Sequence, residues 1–184
     1  MMQRNHLFEN YKLNEEQTDF EKCTFQKSNF SKCELDSFEF IDCIFIDCDF
    51  SNTKVTNTVF SKVQFVRCKI LGVDFSKCSR FTFSVSFDKC LLSYSFFHKN
   101  NLKKTMFKDC DIKDAGFSES DLSFSTFQNC DLQSTVFERN NLEGCDFRSA
   151  QNYTFNPTDN RMKKAQFSYS GVIGLVSHLN IIIE

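Results

Sequence analysis

FKDCDIKDAGFSESDLSFSTFQNCDLQSTVFERNNLEGCDF, residues 107–147, decides the fold. Taken in fives, it places Phe107, Ile112, Phe117, Leu122, Phe127, Leu132, Phe137, Leu142 and Phe147 at one recurring position. Two places ahead of each of the last eight stands a small residue: Cys110, Ala115, Ser120, Ser125, Cys130, Thr135, Asn140 or Cys145. Leu, Ile and Phe make up about a quarter of the chain, so an unbroken run of this length would arise by chance roughly a few times in a million.

A step of five residues turns an α-helix by about 500°, which scatters the apolar residues around the whole cylinder. In a flat strand an odd step sends successive repeats to opposite faces. The remaining solution is a chain that turns a corner once per repeat, so that every large apolar residue points at a common axis. Self-similarity at a fixed period is the signature of such a solenoid.

The 184 residues are of single-domain size, and Phe dominates the apolar set with 24 copies against no Trp and one Pro. A net charge of −2 lacks the broad basic footprint of a nucleic-acid binder. No run of about 18 apolar residues occurs, and the opening MMQRNHLFENYKLNEEQ lacks a signal peptide's apolar core. A soluble cytoplasmic protein, with no membrane and no direct nucleic-acid contact, is therefore expected. Ten cysteines raise the question of disulfides or metal. Cys23, Cys33, Cys43, Cys48, Cys68 and Cys78 differ by multiples of five, as do Cys90, Cys110, Cys130 and Cys145, and all but Cys78 precede a large apolar centre by two places. Buried thiols acting as small hydrophobes explain that placement. No C-x2-C pair suggests zinc, and no cofactor is expected.

Residues 1–17 do not repeat; Leu7, Phe8, Tyr11 and Leu13 could cover an open solenoid end. From Thr18 the fives run through Phe20, Phe25, Phe30, Leu35, Phe40, Phe45, Phe50, Val55, Phe60, Phe65, Ile70 and Phe75. The next secure centre, Phe87, lies twelve residues on, so two extra residues sit near 78–87. They form either a plain corner bulge or a protruding contact carrying Arg80 and Phe81. The repeats end near residue 150, and 151–184 reads as a loop, one last repeat around Phe167 and a C-terminal module. There Ser170 could cap a helix with Val172, Leu175, Val176 and Leu179 on one face, followed by Ile181, Ile182 and Ile183. Such a helix could cap the final coil or bury its apolar face against a second copy; the apolar area exceeds what one short helix covers and favours the second, a homodimer interface of Val172, Leu175, Val176, Leu179, Ile181 and Ile183.

Units such as Cys-Asp-Leu at 130–132, Ser-Asp-Leu at 120–122 and Cys-Asp-Phe at 48–50 resemble the pentapeptide repeat family over about residues 18–150. The resemblance implies an all-β solenoid, a right-handed quadrilateral β-helix with four repeats and twenty residues per coil. With rungs about 4.8 Å apart, the rod would be roughly 30 Å long. The tail, from Asn156-Pro157 to Glu184, is similar to the C-terminal helix and strand of the quinolone-resistance (Qnr-like) subfamily, in which that module joins two rods. That subfamily binds DNA gyrase and topoisomerase IV and is thought to imitate duplex DNA in shape and charge.

Duplex DNA carries about one negative charge per 1.7 Å, so a rod of roughly 30 Å would need on the order of 18 to match it. The net charge of −2 excludes full mimicry and leaves local patches. One candidate partner-binding set is Glu34, Asp36, Glu39, Asp42, Asp47 and Asp49, with no Lys or Arg between Cys33 and Asn52. A second places Asp111 over Asp131, near Asp121 and Asp146. Outward apolar residues, including Ile46 stacked on Val66, could equally favour strand conformation or mark a partner site. His6, His98 and His178 are scattered, and no phosphate loop, paired-acid motif or nucleophile elbow occurs, so no enzyme is expected. Two binding functions stand: a Qnr-like dimer that protects a type II topoisomerase from quinolones, or a repeat scaffold for some other protein.

Overall fold

The computed structural model describes residues 2–14, 16–179 and 181–182. Its strands are two to four residues long, because the chain turns after every apolar centre. Stacking converts those short pieces into continuous sheets. Phe20, Phe40 and Phe60 lie opposite one another on a first face. On the second face the series runs Phe25, Phe45, Phe65, Phe87, Phe107 and Phe127. A third face is joined by single bridges through Asn29, Asp49, Lys69, Leu91, Asp111, Asp131 and Gln151. Phe97, Phe117 and Phe137 occupy the fourth. All these pairings are parallel, and regular partners differ by twenty in number, four repeats per coil. The molecule is a four-sided parallel β-solenoid.

The corner is the same in nearly every repeat. The residue two places after each centre adopts a positive φ, from Lys22 (54°) and Lys27 (51°) to Ser134 (57°) and Arg139 (54°). Non-glycine residues give up on the order of 1 kcal/mol in this left-handed conformation. Each corner amide then donates to a carbonyl of the next coil, as in Lys22 N to Ile41 O at 2.8 Å and Lys27 N to Ile46 O at 3.0 Å. Charge alternates over three successive coils in three of these corner columns: Lys22, Asp42, Lys62; Lys27, Asp47, Arg67; and Lys99, Glu119, Arg139; the second column then continues with Lys89 beside Arg67.

The axis is filled by rings. Phe107 stacks on Phe127 at 4.8 Å and 3°, while Phe107 and Phe117 on different faces meet edge-on at 5.9 Å and 87°. Both arrangements suit the aromatic quadrupole. Small residues between the centres tie the coils together through main-chain oxygen. Thr53 Oγ1 donates to Phe30 O at 2.8 Å, Asn140 Nδ2 to Phe117 O at 2.9 Å, and Cys43 Sγ to Phe20 O at 3.5 Å. Cysteine is thus interchangeable with Thr or Ser here, a compact side chain with a weak donor.

The extra residues lie between Ser79 and Ser84. Ser79 N still bonds Thr58 O in the regular pattern, whereas Ser84 N reaches Phe60 O. Phe65 therefore pairs with Phe87, twenty-two residues on, and the first-face sheet stops after Val59–Ser61. At the other end of the chain's repeats, residues 3–9 add one more rung before Phe20: Gln3 and Arg4 pair with Phe20 and Glu21, and Leu7–Glu9 with Thr24–Gln26. Phe8 stacks on Phe25 at 4.9 Å and Tyr11 meets Phe20 edge-on, closing that end of the ring column.

Past Phe147 the chain loops through the buried Tyr153 and Phe155, and Phe167 stacks on Phe147 at 5.2 Å. A short helix, Ile173–Val176, continues into a 3-10 turn at Ser177–Leu179. Ser168, not the expected Ser170, caps the approach by accepting from Gly171 N at 3.0 Å. The strand expected at the end of the tail is not formed at Ile181 and Ile182, and Ile183 lies outside the described residues.

Candidate functional site

The first acidic set, residues 34–49, spans most of one coil and turns its corners. Glu34 is paired with Lys54, Asp42 Oδ1 lies 3.8 Å from Lys62 Nζ, and Asp47 holds Arg67 through two hydrogen bonds of 2.7 and 2.9 Å. The Arg67 hydrogen bonds hold the Asp47 carboxyl below its ordinary range. Asp36 and Asp49 cap backbone amides, accepting from Thr56 N at 3.1 Å and Ser51 N at 2.8 Å. Only the Glu39 side chain has neither a hydrogen bond nor an ion pair among the described residues, its backbone N–H donating to Thr18 O at 2.8 Å. The stretch without cations in sequence is therefore supplied with cations from the following coil, twenty residues on.

The second set does not form one patch. Asp111 and Asp131 are direct bridge partners on the third face, as expected, but Asp121 belongs to the column Asn101–Asp121–Asn141 on the opposite first face. Asp146 lies on the second face, bridged to Thr126 and Gln166. A separation of ten is half a coil, and one of fifteen is three faces, so the grouping is corrected by the period itself. Lys113 Nζ bridges Asp111 and Asp131 at 3.1 and 3.2 Å. Burial raises the Asp131 proton affinity, but hydrogen bonds from Asn152 and Lys113 outweigh it and leave the carboxyl below its usual range. Arg148 chelates Asp146 with bonds of 3.0 and 2.7 Å and lowers it likewise.

At the register slip, Arg80 is exposed and Phe81 stands fully out of the surface at 99% exposure, while Phe83 turns inward. In the tail, Val172, Leu179 and Ile181 are about half exposed, as is Ile173, and Ile182 is more so. Leu175 departs from the predicted interface set: it is buried in the rod's own core cluster, and Val176 is half-buried. One apolar side chain of the helix anchors it, and the rest face outward.

Sequence reasoning missed a second exposed apolar group, Tyr94, Phe96 and Val136 on and beside the fourth face. Its signal was an apolar residue immediately before two centres forty residues apart. A groove of about 630 Å³ also lies between the 150–154 loop and the tail, lined by Tyr153, Gly171 and Ile173. Among the described residues no cluster of three potential metal ligands occurs, and no helix is long and apolar enough to cross a membrane.

A solenoid of corner-turning fives with Phe and Leu stacks defines a class, and the comparisons agree with it. The pentapeptide repeat region model matches residues 79–156, and the pentapeptide repeats model, eight copies, matches residues 43–79. The chain belongs to the pentapeptide repeat family. Among solved structures, full-length QnrB1, described as a plasmid-mediated fluoroquinolone resistance protein, aligns over 98% of this chain and 100% of its own with a TM-score of 0.56 and 19% identity. A trypsin-treated QnrB1 variant aligns over 97% and 99% with a TM-score of 0.51 and 22% identity. HetL, a pentapeptide repeat protein involved in heterocyst differentiation regulation from the cyanobacterium Nostoc sp., covers 90% of this chain and 84% of its own at a TM-score of 0.37 and 14% identity. At these identities the likeness is one of fold. The comparison with curated proteins returned no match.

Proposed function

We propose that this chain is a non-catalytic binding rod of the Qnr type, which engages a type II topoisomerase, DNA gyrase or topoisomerase IV, and relieves its poisoning by quinolones. The observation that carries the reading is the end-to-end correspondence with QnrB1, over 98% of one chain and all of the other. The outward apolar side of the tail supports a homodimer joined there through Val172, Ile173, Leu179 and Ile181, with two rods in line. Contact with the enzyme then depends on rod shape and a few free acids, because six of the ten proposed acidic residues are ion-paired within the chain.

That same neutralisation favours the second reading, a repeat scaffold for a different protein. The choice between them is made by gyrase supercoiling with and without ciprofloxacin. Protection from the drug at micromolar protein is expected; neither inhibition nor protection would leave only the scaffold.

A further inference from the structure

The fourth face carries a groove of about 300 Å³ that neither the acidic sets nor the tail uses. It exists because Gly116 stands between Phe96 and Val136 in the strand register. A Cβ added at Gly116 would meet Phe96 Cδ2 at 2.8 Å, so the ring leans over space that any other residue would fill. Phe96, Val136 and Tyr94 are 40%, 56% and 67% exposed. Exposed aromatic and branched residues gathered in one hollow mark a contact surface better than the same residues scattered singly.

The charges in the hollow select its occupant. Asp114 and Glu138 line it, and no Lys or Arg does. Asp114 sits at a corner with φ 54° and makes no ion pair among the described residues. Glu138 Oε1 lies 3.2 Å from Arg139 Nη2, whose side chain is 63% exposed. His98 flanks the site, its ring parallel to Phe96 at 6.2 Å and its Nδ1 2.9 Å from Ser118 Oγ. An apolar partner would strip water from two carboxylates and offer nothing in return. A cation satisfies both halves of the surface, and a guanidinium does so best: it is planar, stacks on aromatic faces and pairs with carboxylates in a fork.

We propose that this groove receives an arginine side chain from an extended segment of a partner protein. The guanidinium lies on the Phe96 or Tyr94 ring and pairs with Asp114, and the arginine stem covers Val136. The proposal is independent of the topoisomerase reading, since any protein presenting such a segment would fit.

The test is an NMR titration of the full chain with the blocked peptide acetyl-Gly-Arg-Gly-Arg-Gly amide, and with the same peptide carrying neutral citrulline for arginine. Saturable amide shifts confined to Tyr94–His98, Asp114–Ser118 and Val136–Glu138 are expected with arginine, with citrulline binding weaker by roughly fivefold or more. Asp114→Asn, which keeps a residue suited to the left-handed corner, and Phe96→Ser, which removes only an outward ring, should each weaken binding by a similar factor. Equal shifts from the citrulline peptide, shifts located elsewhere on the rod, or unchanged binding by both variants would overturn the assignment. The peptide comparison stands even if a variant were to misfold.

Discussion

Arg67 grips Asp47 of the preceding coil through two parallel hydrogen bonds, Nε to Oδ1 at 2.7 Å and Nη2 to Oδ2 at 2.9 Å. The fork forms because both residues are corner residues of one column, twenty apart, with the same left-handed backbone. Both side chains are substantially exposed, so the geometry is good and the energy small. A double-mutant cycle with Asp47→Asn and Arg67→Gln should give a coupling close to zero by urea denaturation, and what there is should fade at high salt.

The ring column is the opposite case. Phe127 is fully buried between Phe107 at 4.8 Å and Phe147 at 5.0 Å. Phe127→Ala should cost about 3–5 kcal/mol in the same assay. Phe127→Asp should yield no folded protein, because an uncompensated carboxylate would interrupt the stack.

Gly174 fits so closely against the rod that a Cβ there would meet Tyr153 O at 2.0 Å. Gly174→Ala should therefore lift the helix off without unfolding the coils, whose circular dichroism should persist. Light scattering should then show a dimer turned into monomer, as should removal of residues 169–184. A truncated chain that remains dimeric would move the seam elsewhere.

Burial pushes the thiols of Cys43 and Cys145 up from 9.0 to about 12. The unfolded chain loses these protons at lower pH than the folded one. Their contribution to stability is thus complete below about pH 9 and is lost as pH rises from 9 towards 12. The urea midpoint should fall across that window, and Cys145→Ser, which places the residue found at Ser125 in the same column, should flatten the fall. At neutral pH a thiol reagent should be slow with the native protein, apart from the partly exposed Cys33, and react fully once it is unfolded.

The buried centres were legible because each repeat imposes the same demand, and a single misread residue is corrected by its neighbours. The surface obeys a longer period, and reading it in tens and fifteens misplaced Asp121 and Asp146 relative to Asp111. Lys54, Lys62 and Arg67 were likewise visible as letters, yet their pairing with Glu34, Asp42 and Asp47 emerges only when each coil is laid on the next. A helical stripe named the apolar residues of the tail, but periodicity cannot say which of them its own rod will claim; Leu175 was claimed. The groove at Gly116 depends on a missing side chain, and the apolar residues on either side of it, Phe96 and Val136, stand forty apart in sequence and become neighbours only across the coils.

The alternation of sign up the corners sets a rule for changing the rod's length. Excising one coil of twenty residues between Lys27 and Arg67 would seat Lys22 beside Lys62 and Lys27 beside Arg67, like upon like. Removing two coils at once, and with them Asp47 and Arg67, would seat Lys27 beside Lys89. In the backbone a coil is the interchangeable unit, but the corner charges are not interchangeable, so shortening this part of the rod by one rung of roughly 5 Å would keep the hydrogen-bonded corners and lose the opposite-charge contacts between them.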